Sequence, residues 1–139
     1  MSESAKTVRQ APQATKVPVP AINVESKPFW DATAEGRLLV KHCRACREFH
    51  WYPRSKCPFC HSLDTEWVDS PGTGTIYSYS VMRRVDPPYT FAYVTLDEGV
   101  TLITNIVDCD LNALAIGQRV KVVFRDTGEG CAIPYFTPI

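Results

Sequence analysis

Two Cys-x-x-Cys pairs, Cys43-Arg44-Ala45-Cys46 and Cys57-Pro58-Phe59-Cys60, stand ten residues apart and constrain this chain more than any other feature. Such pairs place four sulfurs on two facing turns, which is the donor set of one tetrahedral metal ion with thiolate-to-zinc bonds of about 2.3 Å. The competing readings are four unrelated reduced thiols or two disulfides. A thioredoxin-type redox site needs one such pair inside a βαβ unit, and no βαβ pattern surrounds either pair. The metal ligands expected are therefore Cys43, Cys46, Cys57 and Cys60, around one structural ion. Four thiolates accept zinc or iron, so an iron-bearing electron carrier stays open beside a zinc ribbon.

The 139 residues, 45% hydrophobic, suffice for one or two small domains with a modest core. Fifteen basic and fifteen acidic residues cancel, so no global field draws the molecule to nucleic acid or an anionic membrane. No apolar run of about eighteen residues and no basic-then-apolar leader is present, which gives no membrane span, no signal peptide, and the cytoplasm as expected compartment. In a reducing compartment the remaining Cys109 and Cys131 are expected to be free thiols. The last histidine is His61, so neither has a candidate base close in sequence.

Residues 1–24 mix Ala, Pro, Gln, Val and Lys without period and read as a flexible arm, with polyproline-like Val17-Pro18-Val19-Pro20 as a possible strap along a partner. Ser26 as cap, Pro28 in the first turn and Phe29 to Ala34 then predict a short helix ending at Gly36. Adjacent Phe29 and Trp30 cannot share one face. Either one packs under the metal module and the other serves a partner, or both are divided between two faces of this protein. Arg37 to His42, Phe49 to Tyr52 and Thr65 to Val68 predict three short strands, completing a rubredoxin-like zinc ribbon over 25–70. Little apolar core is available to it, so metal binding is expected to supply most of its folding free energy. Lys41, Arg44, Arg47, Arg54 and Lys56 crowd the ligands and serve either to offset the thiolate charge or to hold an anion. His42, His50 and His61 are left out of the metal shell because four sulfurs close it.

Pro71-Gly72-Thr73-Gly74 marks the boundary to a segment, 71–139, that is strand-like throughout. Thr75 to Val81, Phe91 to Leu96, Val100 to Val107, Arg119 to Arg125 and Ala132 to Phe136 are five strands, with a helical turn at Leu111 to Ile116 between the third and fourth. That order suits a small five-stranded Greek-key OB-fold barrel. A β-sandwich would need more strands. The expected fold class is thus mainly β: N-terminal helix, zinc ribbon, barrel.

The set formed by the helix, the Cys57-Pro58-Phe59-Cys60 knuckle, Gly74-Thr75-Ile76-Tyr77-Ser78-Tyr79, Thr104-Asn105-Ile106-Val107-Asp108-Cys109 and Ile116-Gly117-Gln118-Arg119-Val120-Lys121-Val122 resembles the zinc-ribbon/OB-fold acyl-CoA-associated accessory proteins. The resemblance implies a non-catalytic subunit that docks on a larger thiolase-superfamily enzyme (thiolase, acyltransferase or aldolase) in a hetero-oligomer and helps bind its acyl-CoA substrate. No catalytic residue is carried over; only the four cysteines are. Arg54 and the Arg83-Arg84 pair, the latter beside Pro87-Pro88, are candidates for the CoA phosphates, against the plainer reading of solvated cations. The alternative function is a single-strand nucleic-acid binder stacking bases on Tyr77, Tyr79, Tyr89, Phe91 and Tyr93. Five basic against seven acidic residues from Pro71 onward is the wrong sign for that role.

Overall fold

Strand alternation governs the chain: the computed structural model, which describes residues 17–139, holds eight strands and one short helix. Of the arm expected over 1–24, residues 1–16 lie outside the described residues, and 17–23 run without regular structure. Helix α1 spans Lys27–Thr33, with Pro28 in the first turn, where its missing N–H costs nothing. Ser26 stands at the N-cap position, yet its side chain makes no cap hydrogen bond to the helix. It turns back instead, its hydroxyl accepting from Asn23 N at 3.2 Å while Asn23 Oδ1 accepts from Ser26 N at 2.9 Å. The helix ends at Thr33 rather than at Gly36. Gly36 takes φ 75°, which lets Gly36 N bond Thr33 O and Arg37 N reach back to Ala32 O, so the last carbonyls find donors.

Strands β1 (Leu38–Cys43), β2 (Phe49–His50) and β3 (Thr65–Ser70) form an antiparallel sheet in the order β2-β1-β3. The expected return strand through Tyr52 is shorter: β2 stops at His50, because Trp51 leaves the ladder to pack on Phe29, ring centroids 5.0 Å apart. Trp30 meets the same Phe29 edge-to-face at 4.8 Å and is itself half-buried. Both aromatics are thus used within this protein. One face of the sheet aligns Lys41 with His50 and Trp67, and the other aligns His42 with Phe49 and Glu66.

Strands β4 (Thr73–Met82), β5 (Tyr89–Leu96), β6 (Thr101–Ile106), β7 (Arg119–Asp126) and β8 (Ala132–Pro138) close into a barrel in the order β4-β5-β6-β8-β7, with β6 and β8 parallel. A 3₁₀ turn at Leu111–Ala113 fills the gap between β6 and β7. Period-2 alternation drives Ala92, Val94, Leu96, Leu102 and Ile106 inward, where they meet Ile76, Val120 and Phe136. The same apolar cluster continues without a break into Leu38, Leu39 and Val40 of the ribbon and Phe29 and Ala32 of α1. Thr33 Oγ1 ties the helix to the barrel by accepting from Ala132 N at 3.1 Å. Asp97, at the turn after β5, accepts a two-pronged bond from Arg119 and one from the Thr73 hydroxyl, which together hold its carboxyl down to about 2. No helix among the described residues is long and apolar enough to cross a membrane.

The passage from β3 to β4 turns at Gly72, φ 78°, where an added Cβ would stand 2.4 Å from Val122 Cγ1. Gly36 has a similar φ but open space around it. Gly72→Ala is therefore expected to cost about 3 kcal/mol, backbone strain plus overpacking, and Gly36→Ala only about 1 kcal/mol. Urea unfolding of both variants checks this. Equal midpoints would contradict the clash.

Candidate metal centre

Each Cys-x-x-Cys pair folds into the same small turn. Arg47 N donates to Cys43 O at 2.8 Å, and His61 N donates to Cys57 O at 2.9 Å. Cys43 N then pairs with Glu48 O and Cys57 N with Ser62 O, so each knuckle is closed from both sides. The residue after each second cysteine, Arg47 or His61, sits at φ 66° or 67°, a left-handed conformation that L-residues adopt at a cost. That cost recurs at both turns because the geometry brings the sulfurs inward.

The four Sγ atoms lie within 4.8 Å of one another, with Cys43 to Cys60 at 3.6 Å and Cys46 to Cys57 at 3.7 Å. Sulfurs on a tetrahedron about 2.3 Å from its centre are about 3.8 Å apart, whereas a disulfide needs about 2.05 Å. The set fits one structural zinc ion. Backbone donors Cys46 N and Phe59 N point at Cys43 Sγ and Cys57 Sγ at 3.5 and 3.4 Å. Cys43 and Cys57 are buried, and Cys60 faces solvent.

The histidines lie outside the sulfur cluster. His42 Nδ1 is 2.7 Å from Glu66, and its ring lies tilted against Phe49, centroids 4.7 Å apart; His50 is buried on the far face; His61 is exposed. Two of the basic residues near the ligands find carboxylates of their own. Arg44 pairs with Asp64 at 2.7 Å and Glu66 at 3.2 Å, and Arg54 lies 3.8 Å from Glu25. His42 and then Arg44 hold the Glu66 carboxyl below its usual range. Lys41 is a different case: the charge of Glu25 reaches it, but its ammonium sits against neutral groups. It is 7% exposed, donates to Thr65 Oγ1 and lies 4.6 Å from the Trp67 ring centroid, and burial pulls its pKa down. Sequence reasoning grouped it with the bases that offset the thiolate charge or hold an anion. Its alternate position in β1, facing Trp67, was the available signal.

The three candidate arginines divide between the two modules. Arg54 belongs to the ribbon, its guanidinium 5.6 Å from the Tyr52 ring centroid. Arg83 and Arg84 follow the end of β4, where Arg83 donates to Asn112 Oδ1 at 2.7 Å and Arg84 is exposed. The two remaining thiols sit in the barrel segment. Burial pushes the Cys109 thiol up, and Cys131 is buried with the Thr127 hydroxyl 3.6 Å away, in a cleft shared with Thr33, Phe124 and Asp126. Among the described residues neither thiol is hydrogen-bonded to a histidine or a carboxylate.

Cys57→Ser is expected to drop zinc from about one per chain to near zero, since a three-thiolate remnant loses both a ligand and a closed shell. Cys131→Ser should leave the metal in place. Metal analysis of the two purified variants decides it, and full occupancy in Cys57→Ser would contradict the assignment.

Comparison with known proteins agrees with this construction. Residues 30–66 match the family described as "ChsH2, rubredoxin-like zinc ribbon domain", and residues 67–125 match "ChsH2, C-terminal OB-fold domain". A "Probable enoyl-CoA hydratase alpha subunit" of Thermomonospora curvata is 34% identical over 93% of this chain, although the chain spans only 42% of that protein's length. A "DUF35 domain-containing scaffold protein" of Methanocaldococcus jannaschii is 31% identical over 73% of this chain and 82% of its own length. Among solved structures, a chain of an "Ltp2-ChsH2(DUF35) aldolase" superposes with TM-score 0.77 at 33% identity, over 86% of this chain and 98% of that one. A DUF35 protein of Sulfolobus solfataricus shares the fold at TM-score 0.64 and 12% identity. With a four-cysteine ribbon joined to a closed five-stranded barrel, and with relatives above 30% identity matched over most of their length, this chain belongs to the ChsH2/DUF35 family of zinc-ribbon and OB-fold proteins.

Proposed function

We propose that this chain is a non-catalytic accessory subunit of a thiolase-superfamily enzyme and helps bind that enzyme's acyl-CoA substrate in the reducing cytoplasm. The observation that carries the reading is the likeness, over nearly the whole of the matched chain, to a component of the Ltp2-ChsH2(DUF35) aldolase. The chemistry of the chain supports it. A thioester condensation or cleavage needs an activated nucleophile and a group to receive developing negative charge. The zinc set offers four thiolates and no open position, so it holds shape and does not act as a Lewis acid. Burial keeps Cys109 a thiol, and both spare cysteines lack a hydrogen-bonded base among the described residues. What the chain contributes is wall and contacts: surface that orients a long flexible thioester and excludes water on a partner that carries the reacting groups.

Arg54, Arg83 and Arg84 are assigned the CoA phosphates. All three are exposed, and Asn112 steers the Arg83 fork. CoA carries its diphosphate and its ribose phosphate on separate arms, so cations on the ribbon and on the barrel need not share one anion.

Reconstitution tests the reading. The thiolase-type subunit that co-purifies with this chain is identified, expressed separately, and assayed alone, with this chain, and beside this chain alone. Turnover only in the mixture is expected; turnover by this chain alone, or full turnover without it, would overturn the proposal. Within the active complex, Arg83→Ala with Arg84→Ala should raise KM for the acyl-CoA by about 10-fold and leave kcat in place, the effect of losing charge-assisted bonds. An unchanged KM would return these arginines to the solvent.

A further inference from the structure

One face of the barrel is out of keeping with a free surface. Across β4, β5 and β6 the outward positions fall in register. Tyr77 and Ser78 stand opposite Tyr93, which stands opposite Ile103; Ser80 faces Phe91 and then Asn105; Met82 faces Tyr89; Thr75, Thr95 and Thr101 form the last row. The ladder slips between Ile76 and Ser78, and this bulge turns Tyr77 outward beside Ser78 instead of leaving a strict alternation. Tyr77 is 67% exposed, Ile103 60% and Tyr93 48%. No residue in these rows carries a charge. Charge begins only at the margins, with Arg83 and Arg84 past the end of β4 and the Arg119–Asp97 pair beside Thr75. A neutral aromatic centre within a charged rim is the composition of a protein interface.

Three occupants can be weighed against one another. Residues 1–16 contain no aromatic and carry Lys6, Arg9 and Lys16, so they offer nothing to cover such a face. Barrels of this type do bind single-stranded nucleic acid on the meander, but that mode pairs stacking aromatics with cations along the backbone. Here no cation stands among the aromatic rows: Arg83 and Arg84 lie past the end of β4, and Arg119 is already forked onto Asp97. A second copy is limited by area. Three strands about 4.8 Å apart and six residues long span roughly 300 Å² of plane, against about 800 Å² per partner in a stable specific contact. The face is too small to hold two copies by itself, and a larger protein can reach past its margins.

We infer that the outer face of β4, β5 and β6, centred on the Tyr77–Tyr93–Ile103 row, is where the larger thiolase-type subunit seats, an inference that rests on the accessory-subunit reading above. The subunit's matching surface is apolar and uncharged at its centre. Arg83 and Arg84 then stand at the edge of the contact, beside whatever ligand the larger subunit holds there.

The test measures affinity between the separately expressed thiolase-type subunit and four zinc-loaded forms of this chain: wild type, Tyr93→Lys with Ile103→Glu, Val24→Lys, and Leu63→Glu. Val24, before α1, and Leu63, in the ribbon, are exposed apolar residues outside the barrel strands and serve as controls. The double variant should bind at least about 30-fold more weakly, as for loss of a central anchor, and the controls should stay within about 3-fold. Zinc content and far-ultraviolet circular dichroism verify that each variant is folded. Hydrogen exchange of the wild type adds a reading that needs no substitution, with slowed amides at 77–81, 91–93 and 103 on adding the subunit. Wild-type affinity in the double variant, or slowing confined to other strands, overturns the face while leaving the accessory reading intact. Absence of any binding by the wild type overturns both. Self-association of the wild type that the double variant loses, or binding of oligo-dT that it loses, would give the face to a second copy or to nucleic acid and overturn the proposal.

Discussion

The four-sulfur cluster is the constraint on which the ribbon depends. Two left-handed turns, at Arg47 and His61, are held in sparsely populated backbone conformations, and β2 is only two residues long. Nothing in propensity would keep Cys43 and Cys60 at 3.6 Å. Charge repulsion among four thiolates opposes it, and a divalent ion reverses the sign of that term.

The dependence is graded along the sheet rather than uniform. At its far end β1 is tied to the metal turns through Cys43. At its near end Leu38, Leu39 and Val40 belong to the same apolar cluster as the barrel strands and Phe29. Helix α1 sits across the joint, with Phe29 between Trp30 and Trp51 and the Thr33 hydroxyl bonded to Ala132 N. Ribbon and barrel are therefore distinct in how they are stabilised but continuous in packing, and a rigid joint is what a subunit needs if it is to present two modules to one partner.

Much of this was legible in the chain. Paired Cys-x-x-Cys spacing is a short-range signal tied to one coordination geometry, and period-2 alternation located all five barrel strands. The misreadings share a physical origin in contacts distant in sequence. Trp51 looked like strand but is drawn out of the ladder by Phe29. Ser26 looked like a cap but is claimed by Asn23. Lys41 looked like one of the bases that serve the metal site or an anion but is buried over Trp67, a partner that only strand register brings near. Alternation also conceals a bulge: Tyr77 and Ser78 both face outward, and no local pattern announces the slip that makes the aromatic row continuous.

The functional account rests on the same division of labour, a metal-held ribbon and a self-sufficient barrel joined by a shared core. Hydrogen exchange of the zinc-loaded chain against the chelator-stripped chain tests that division most directly. The account predicts that amides of the metal turns, Cys43, Arg47, Cys57 and His61 among them, lose protection on stripping, while those of Val94, Leu102 and Val120 in the barrel retain it. Collapse of the barrel together with the ribbon, or turns that stay protected without the metal, would contradict it.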